Sequence, residues 1–164
     1  MLQPNKILVI RFSSLGDLIL TSPIFRELRR IFPGANLNLL TSVGFGDVLD
    51  NNPHLERIIK HPRKENFEQL NQLIEELQAE DFDLIYDAHR SMRSRWIVSK
   101  LTAFGMKRKP AVWKINKRTL NRKLLIHLGW NRLQQGLSQR EQWLLPLKQL
   151  SLIHISEPTR PYLI

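Results

Sequence analysis

The chain has 164 residues, enough for one ordinary domain with a core but too few for two. It contains no cysteine, which excludes disulfide bonds and thiolate metal sites and fits a reducing compartment. Its formal net charge is +10, and its apolar runs are too short to cross a bilayer, so we expect neither a transmembrane helix nor a signal peptide.

The positive charge is concentrated in one part of the chain. Residues 1–87 hold 9 Lys/Arg and 13 Asp/Glu, whereas residues 88–140 hold 14 Lys/Arg and no Asp or Glu. Such a segment predicts an anionic partner, which is a phosphorylated sugar, a membrane headgroup or a nucleic acid. A solvated basic face on a protein of high pI is the alternative.

The chain opens with a predicted buried strand. Residues 7–10 are all β-branched or aliphatic, as in a strand covered on both faces by helices. A small polar turn follows, and residues 17–32 carry apolar side chains at helical spacing. Either Ser22 caps this helix with Pro23 in its first turn, or the helix begins near Asp17 and kinks at Pro23. We favour the second start, because the first leaves an apolar loop.

Strand and helix patterns alternate through the rest of the chain, which predicts an α/β fold with a Rossmann-like parallel sheet and flanking helices. The predicted strands are residues 36–41, 55–59, 82–86 and 111–115, and the predicted helices are residues 65–80, 91–104, 117–128 and 138–150. The pattern places Phe67, Met92 and Trp96 on buried helix stripes. Residues 43–47 contain Gly-x-Gly without a third glycine, so they predict a turn into a short helix instead of a dinucleotide-binding loop.

The first turn carries a family resemblance. Residues 10–23, Ile-Arg-Phe-Ser-Ser-Leu-Gly-Asp-Leu-Ile-Leu-Thr-Ser-Pro, resemble the opening of the ADP-heptose:lipopolysaccharide heptosyltransferases, glycosyltransferase family 9. That family transfers heptose from ADP-heptose to the lipopolysaccharide inner core, and its two Rossmann-like domains face a cleft in the GT-B arrangement. The resemblance covers residues 6–150. It implies the N-terminal, acceptor-binding half of an inverting glycosyltransferase, inactive without its second domain.

The resemblance also divides the chain. Residues 1–150 are expected to be the N-terminal Rossmann-like domain. Residues 151–164 continue neither a helical period nor a clear strand, and they resemble translated sequencing-adaptor read-through. We interpret them as a non-native tail that is loosely attached.

Asp17 is the central candidate residue. It follows a strand at the place where open α/β sheets bind ligands, so it either caps the helix or takes a proton from a substrate. In the family the aspartate of the Ser-Ser-Leu-Gly-Asp motif is the proposed general base, which implies that role for Asp17. Ser13, Ser14 and the backbone of Gly16 are candidates for hydrogen bonds to the donor diphosphate or the acceptor. Ordinary turn chemistry is their alternative role.

Cations after two other strands are candidates for binding the acceptor. Arg90 and Arg93 lie three positions apart at a predicted helix start, so they should share a face and suit a phosphate or a sugar carboxylate. The alternative is solvated arginines, with Asp87 holding Arg90. The family commonly has Asp-x-Gln-Gly here, from which His89 and Arg90 depart.

Arg63 and Lys64, after the third strand, match basic residues that contact the acidic core sugars in the family, or else form a solvated turn. Arg118 resembles an acceptor-side arginine. The histidines show no metal-ligand spacing, so we expect no metal site and no cofactor.

The implied partners are the nucleotide-sugar donor ADP-heptose and the lipopolysaccharide core acceptor. The implied location is the cytoplasm, with peripheral contact to the anionic inner membrane through the basic helix at 117–128. The alternative function is a basic module that binds nucleic acid or an anionic membrane. Because the sequence shows no nucleic-acid motif and few aromatic residues among its cations, we expect no nucleic-acid partner.

Overall fold

The computed structural model describes residues 3–64, 66–103 and 109–115, together with Leu144 and Leu147. The strands are β1 (Lys6–Ile10), β2 (Asn36–Ser42), β3 (Arg57–His61), β4 (Leu84–Asp87) and β5 (Ala111–Lys114). The helices are α1 (Leu15–Ile31), α2 (Phe67–Ala79) and α3 (Met92–Ala103), with a 3-10 helix at Gly46–Leu49. The predicted turn into a short helix after β2 is thus confirmed.

The strands form one sheet in the order β3-β2-β1-β4-β5, and every neighbouring pair is parallel. The central strand β1 therefore lies between β2 and β4. The order of successive strands changes direction between β1 and β4, which makes that position the topological switch point of the sheet. The predicted Rossmann-like parallel sheet is confirmed.

Helices cover both faces of the sheet. Ile7 and Val9 belong to the core cluster that contains the buried side chains of α1, whereas Leu8 and Ile10 belong to the cluster that contains those of α2 and α3. All four side chains of this run are fully buried. A strand enclosed in this way must be apolar at every position, which is why β1 shows no alternation in sequence.

Helix α1 begins at Leu15 and continues through Pro23 to Ile31. Ser14 is its N-cap residue, and its buried stripe includes Leu18. The helix start near Asp17 is therefore confirmed. Of the apolar residues in its first turns, Leu18 is buried, whereas Leu15, Ile19 and Leu20 are exposed.

Three side chains expected inside are exposed: Phe67 at 67%, Met92 at 87% and Trp96 at 41%. Phe67 is the first residue of α2. In α3 the buried residues are Ser94, Ile97, Val98 and Leu101. Ile97 and Leu101, which the apolar pattern also places inside, are thus buried, whereas the burial of Ser94 is not visible from that pattern.

The bounds of two strands differ slightly from those predicted. Strand β3 begins two residues later than predicted, and β4 begins at Leu84. The helices predicted at 117–128 and 138–150 and the tail at 151–164 lie outside the described residues, except for Leu144 and Leu147, which pack in the α1 cluster. Among the helices that the structure describes, none is both long and apolar enough to cross a membrane.

Candidate active site

Two loops leave the sheet side by side at its carboxyl edge. Strands β1 and β4 are paired directly, with Ile10 opposite Asp87. The segment that follows β1 contains the predicted site around Asp17, and the segment that follows β4 contains Arg90 and Arg93. Both start at the switch point, where parallel α/β sheets bind their ligands.

Arg11 joins the two loops. Its side chain is 4% exposed, and its guanidinium donates to the carbonyl oxygen of Ala88 and forms an ion pair with Asp17. Burial lowers the pKa of the Arg11 guanidinium, and the charge of Asp17 opposes that effect. Because arginine stays protonated in proteins, a fixed positive charge lies beside Asp17. Sequence reasoning missed Arg11, although a cation directly after the buried run of β1 was a usable signal.

Asp17 has local partners within its own turn. Besides the ion pair with Arg11, its carboxylate accepts a long hydrogen bond of 3.4 Å from the backbone N–H of Ser14. The helix-capping role is therefore present. Its side chain is 32% exposed, and it is not among the residues that line the cavity between α3 and β5 or the cavity beside α1.

The rest of the turn is accessible. Ser13 is half-buried, whereas Ser14 and Gly16 are exposed. A Cβ atom added at Gly16 would have no heavy atom within 4 Å, so the backbone here faces open space. A ligand can approach this backbone closely, as the predicted role of the three residues requires.

Asp87 shapes the loop after β4. Its side chain is 1% exposed, and its Oδ1 atom accepts hydrogen bonds from the backbone N–H groups of His89 (3.0 Å) and Arg90 (2.7 Å). Its Oδ2 atom accepts a hydrogen bond of 3.1 Å from the hydroxyl of Ser94. Asp87 thus holds Arg90 through the backbone and not through the guanidinium. Arg90 has φ of +51°, in the left-handed region.

The two arginines of this loop do not share a helical face, because α3 begins after Arg90. Arg90 donates to the carbonyl oxygen of Ile115, 2.9 Å away, just beyond β5. Arg93 donates to the carbonyl oxygen of Pro62 at 3.0 Å, and its guanidinium lies 4.0 Å from the ring centroid of Phe12. The expectation of a common face was therefore wrong.

Arg93 connects the loops after β3 and β4. Its acceptor, Pro62, directly precedes Arg63 and Lys64, and both of these side chains are exposed. The structure thus brings Arg63 and Lys64 into the neighbourhood of Arg93, at the same edge of the sheet as Asp17. Arg118 lies outside the described residues.

No family profile matches the chain. Two proteins of known name are similar in sequence. Lipopolysaccharide heptosyltransferase 1 of Pseudomonas aeruginosa is 28% identical over 118 residues, which are 65% of this chain and 33% of that protein. Lipopolysaccharide heptosyltransferase 1 of Escherichia coli K12 is 28% identical over 111 residues, which are 62% of this chain and 34% of that protein. The chain thus spans about a third of the length of these relatives.

Solved structures share the fold. The glycosyl transferase family 9 protein of Veillonella parvula superposes with a TM-score of 0.67 at 17% identity, over 99% of this chain and 45% of that one. Escherichia coli heptosyltransferase WaaC with ADP-2-deoxy-2-fluoro heptose superposes with a TM-score of 0.64 at 23% identity, over 94% of this chain and 50% of that one. In sequence and in fold, the chain is similar to the heptosyltransferases of glycosyltransferase family 9, as its opening motif indicates.

Proposed function

We propose that the chain is the N-terminal, acceptor-binding part of an inverting glycosyltransferase that moves heptose from ADP-heptose to the lipopolysaccharide inner core. The similarity to two lipopolysaccharide heptosyltransferases supports this proposal. Residues 1–150 would form the domain, and residues 151–164 a non-native tail. A second domain would bind most of the donor, since solved relatives that contain ADP or an ADP-heptose analogue are about twice as long as this chain.

Asp17 is the proposed general base. It would accept the proton of an acceptor hydroxyl, whose oxygen then bonds to the anomeric carbon of heptose from the face opposite ADP. The bond from that carbon to the diphosphate breaks, and ADP leaves with the electron pair, so the configuration inverts. The observation that carries this role is the placement of Asp17 at the switch point, oriented by Arg11 and still 32% exposed.

The other predicted residues have proposed roles that rest on their charge or hydrogen-bonding groups and on the family resemblance. Ser13, Ser14 and the backbone N–H of Gly16 would donate to diphosphate oxygens or to the acceptor. A group of five cations would attract the acidic acceptor: Arg63, Lys64, Arg90, Arg93 and Arg118. Peripheral contact of the basic segment with the anionic cytoplasmic face of the inner membrane fits a lipid-linked acceptor.

Binding by the chain itself tests the acceptor half of the proposal. The 164-residue chain is titrated with inner-core oligosaccharide and with unrelated single- and double-stranded nucleic acids at rising salt concentration. We expect binding of the oligosaccharide only, weakened by the double variant Arg63→Gln/Lys64→Gln and unaffected by Arg26→Gln, which removes an exposed charge from α1. Sequence-independent nucleic-acid binding with a steep salt dependence would contradict the proposal and favour the basic-module alternative.

Turnover tests the catalytic half. The 164-residue chain should not consume ADP-heptose, whereas the complete protein that contains it should. In the complete protein, Asp17→Asn should lower kcat by about 10²- to 10⁴-fold with a smaller change in KM, because loss of a general base acts on the chemical step. The acidic limb of the pH–rate profile should disappear with it. Turnover by residues 1–164 alone, or full activity of Asp17→Asn, would overturn the mechanism.

A further inference from the structure

A second cavity lies apart from the Asp17 turn, between α3 and β5. Its volume is about 430 Å³, within the range of small-molecule sites. Helix α3 contributes Arg95, Ser99 and Thr102, and the segment that contains β5 contributes Lys109, Val112 and Lys114. The cavity is therefore lined by cations and hydroxyl groups around an apolar wall.

The cations of this cavity have no carboxylate partner in the part of the chain that the structure describes. Arg95, Lys109 and Lys114 are all exposed and form no ion pair among residues 3–64, 66–103 and 109–115. They belong to the segment 88–140, which contains no Asp or Glu. Like charges that converge on one cavity repel one another, and an anion bound between them removes that repulsion.

Asp87 is the acidic residue among those that line the cavity. Its carboxylate already accepts three hydrogen bonds, from His89, Arg90 and Ser94, and the side chain is 1% exposed. Asp87 therefore orders the loop after β4, and it forms no ion pair with these cations in the described part of the chain. The three cations outnumber this one carboxylate, so the lining keeps a net positive charge.

The two hydroxyl groups of the lining already donate hydrogen bonds within α3, so the cations are the groups available to bind an anion. Ser99 donates to the carbonyl oxygen of Trp96 at 2.7 Å, and Thr102 donates to that of Val98 at 2.9 Å. The apolar wall formed by Val98 and Val112 suits the body of an organic molecule that carries the charged group. A free inorganic ion would fill only part of the volume.

We propose that this cavity binds the phosphate group of a phosphorylated organic molecule, with Arg95, Lys109 and Lys114 contacting the phosphate oxygens. The inference does not depend on the transferase reaction, because it uses none of the residues placed in that chemistry. The phosphate belongs either to a soluble sugar phosphate or to a phospholipid headgroup, and the test distinguishes these sources.

Calorimetric titration of the 164-residue chain with glucose 6-phosphate is the first measurement. The double variant Arg95→Gln/Lys114→Gln should weaken binding at least about tenfold, since each charge-assisted hydrogen bond contributes that much or more. The matched control is Arg26→Gln, which removes one exposed charge from the lining of the cavity beside α1. An equal loss in Arg26→Gln, or unchanged binding in the double variant, would overturn the proposal.

A substitution that leaves the net charge unchanged distinguishes binding in the cavity from general attraction to a positively charged surface. Ser99→Phe places a bulky side chain at the mouth of the cavity without changing the net charge, and it should also weaken binding about tenfold. Unchanged binding in this variant would contradict the proposal. Thermal unfolding of each variant verifies that the fold is retained.

Vesicles identify the source of the phosphate. Phosphatidylglycerol vesicles that compete with glucose 6-phosphate, while phosphatidylcholine vesicles do not, indicate a lipid headgroup. Binding of glucose 6-phosphate without competition by either kind of vesicle indicates a soluble ligand. Binding of none of these probes overturns the proposal and leaves the transferase proposal standing.

Discussion

The guanidinium of Arg11 and the carboxylate of Asp17 face each other across the first turn, with one side chain 4% exposed and the other 32% exposed. Exposed ion pairs contribute little to stability, whereas breaking a buried pair leaves an uncompensated charge. The Arg11–Asp17 pair has one buried and one partly exposed partner, so its contribution to stability should lie between those of exposed and buried pairs. It also links α1 to the loop after β4, since the same guanidinium binds Ala88.

A double-mutant cycle should therefore show that Arg11 and Asp17 are coupled. Comparison of Arg11→Met, Asp17→Asn and the double variant by urea unfolding is expected to give a coupling energy of about 1–2 kcal/mol. The control is the exposed pair Arg30 and Glu27 on α1, for which about 0.3 kcal/mol is expected. Equal coupling energies in the two cycles would show that burial of Arg11 does not matter.

Asp87→Asn should destabilise the protein strongly. The amide oxygen can still accept from the N–H groups of His89 and Arg90, but the NH₂ group replaces the acceptor of the Ser94 hydroxyl and the negative charge that strengthens all three bonds is lost. We therefore expect a loss of about 2–3 kcal/mol in the free energy of unfolding. Ser94→Ala removes one of the three hydrogen bonds and should cost about 1 kcal/mol. Chemical denaturation gives both values, and amide hydrogen exchange at His89 and Arg90 shows whether the loop opens. A smaller effect for Asp87→Asn than for Ser94→Ala would refute this role.

Arg90 has a backbone conformation that glycine adopts more easily. Because φ is +51°, Arg90→Gly should be more stable than Arg90→Ala by about 1 kcal/mol, although both lose the bond to Ile115. The order of stability should reverse at Arg26, because inside α1 the alanine variant is favoured over the glycine variant by about 1 kcal/mol. The same order at both positions in urea unfolding would argue against the left-handed geometry.

The stability contributed by Glu80 should depend on pH. A hydrogen bond from Lys6, and a second from Arg57, hold the pKa of the Glu80 carboxyl below its ordinary value of 4.5. Because the folded pKa is the lower one, this contribution is complete above 4.5 and is lost as pH falls through the folded pKa. The difference in unfolding free energy between the wild type and Glu80→Gln should therefore shrink in acid. A gap for Glu80→Gln that widens in acid would contradict the assignment.

Two buried threonines should respond in opposite ways to the change to valine. Among the residues that the structure describes, the hydroxyl of Thr41 has no hydrogen-bond partner, whereas that of Thr21 donates to the carbonyl oxygen of Leu18. Both side chains are fully buried. Thr41→Val should raise the unfolding free energy by about 1 kcal/mol, and Thr21→Val should lower it by a similar amount. A stability loss at Thr41 as large as that at Thr21 would show that the Thr41 hydroxyl is bonded in solution.

Elements enclosed on two sides were the most predictable from sequence. Strand β1 shows its burial at every position from Ile7 to Ile10, and α1 follows from a cap residue and a regular apolar stripe. Strand β3 is less predictable because it lies at the edge of the sheet and is only partly buried. Its bounds are set by pairing with β2 and not by its own residues.

Polar contacts within the core explain the remaining errors. The buried stripe of α3 includes Ser94, whose hydroxyl donates to Asp87, so counting apolar residues found Ile97 and Leu101 but wrongly added Met92 and Trp96. The alternation of strands and helices places Asp17 and Arg93 after strands, but it does not give the strand order that makes their loops neighbours. Nor does it give the link through Arg11, because a sequence does not show which carbonyl a buried guanidinium meets.

The contact between Arg11 and Ala88 joins positions 77 residues apart in the chain. Contacts of such long range form only after a large loop has closed, which slows folding relative to local contacts. A partly folded chain in which β1 and β4 have not yet met would therefore lack the edge that carries Asp17. A ligand that binds at this edge would therefore bind only the native state. Its full binding free energy should stabilise the fold and raise the melting temperature.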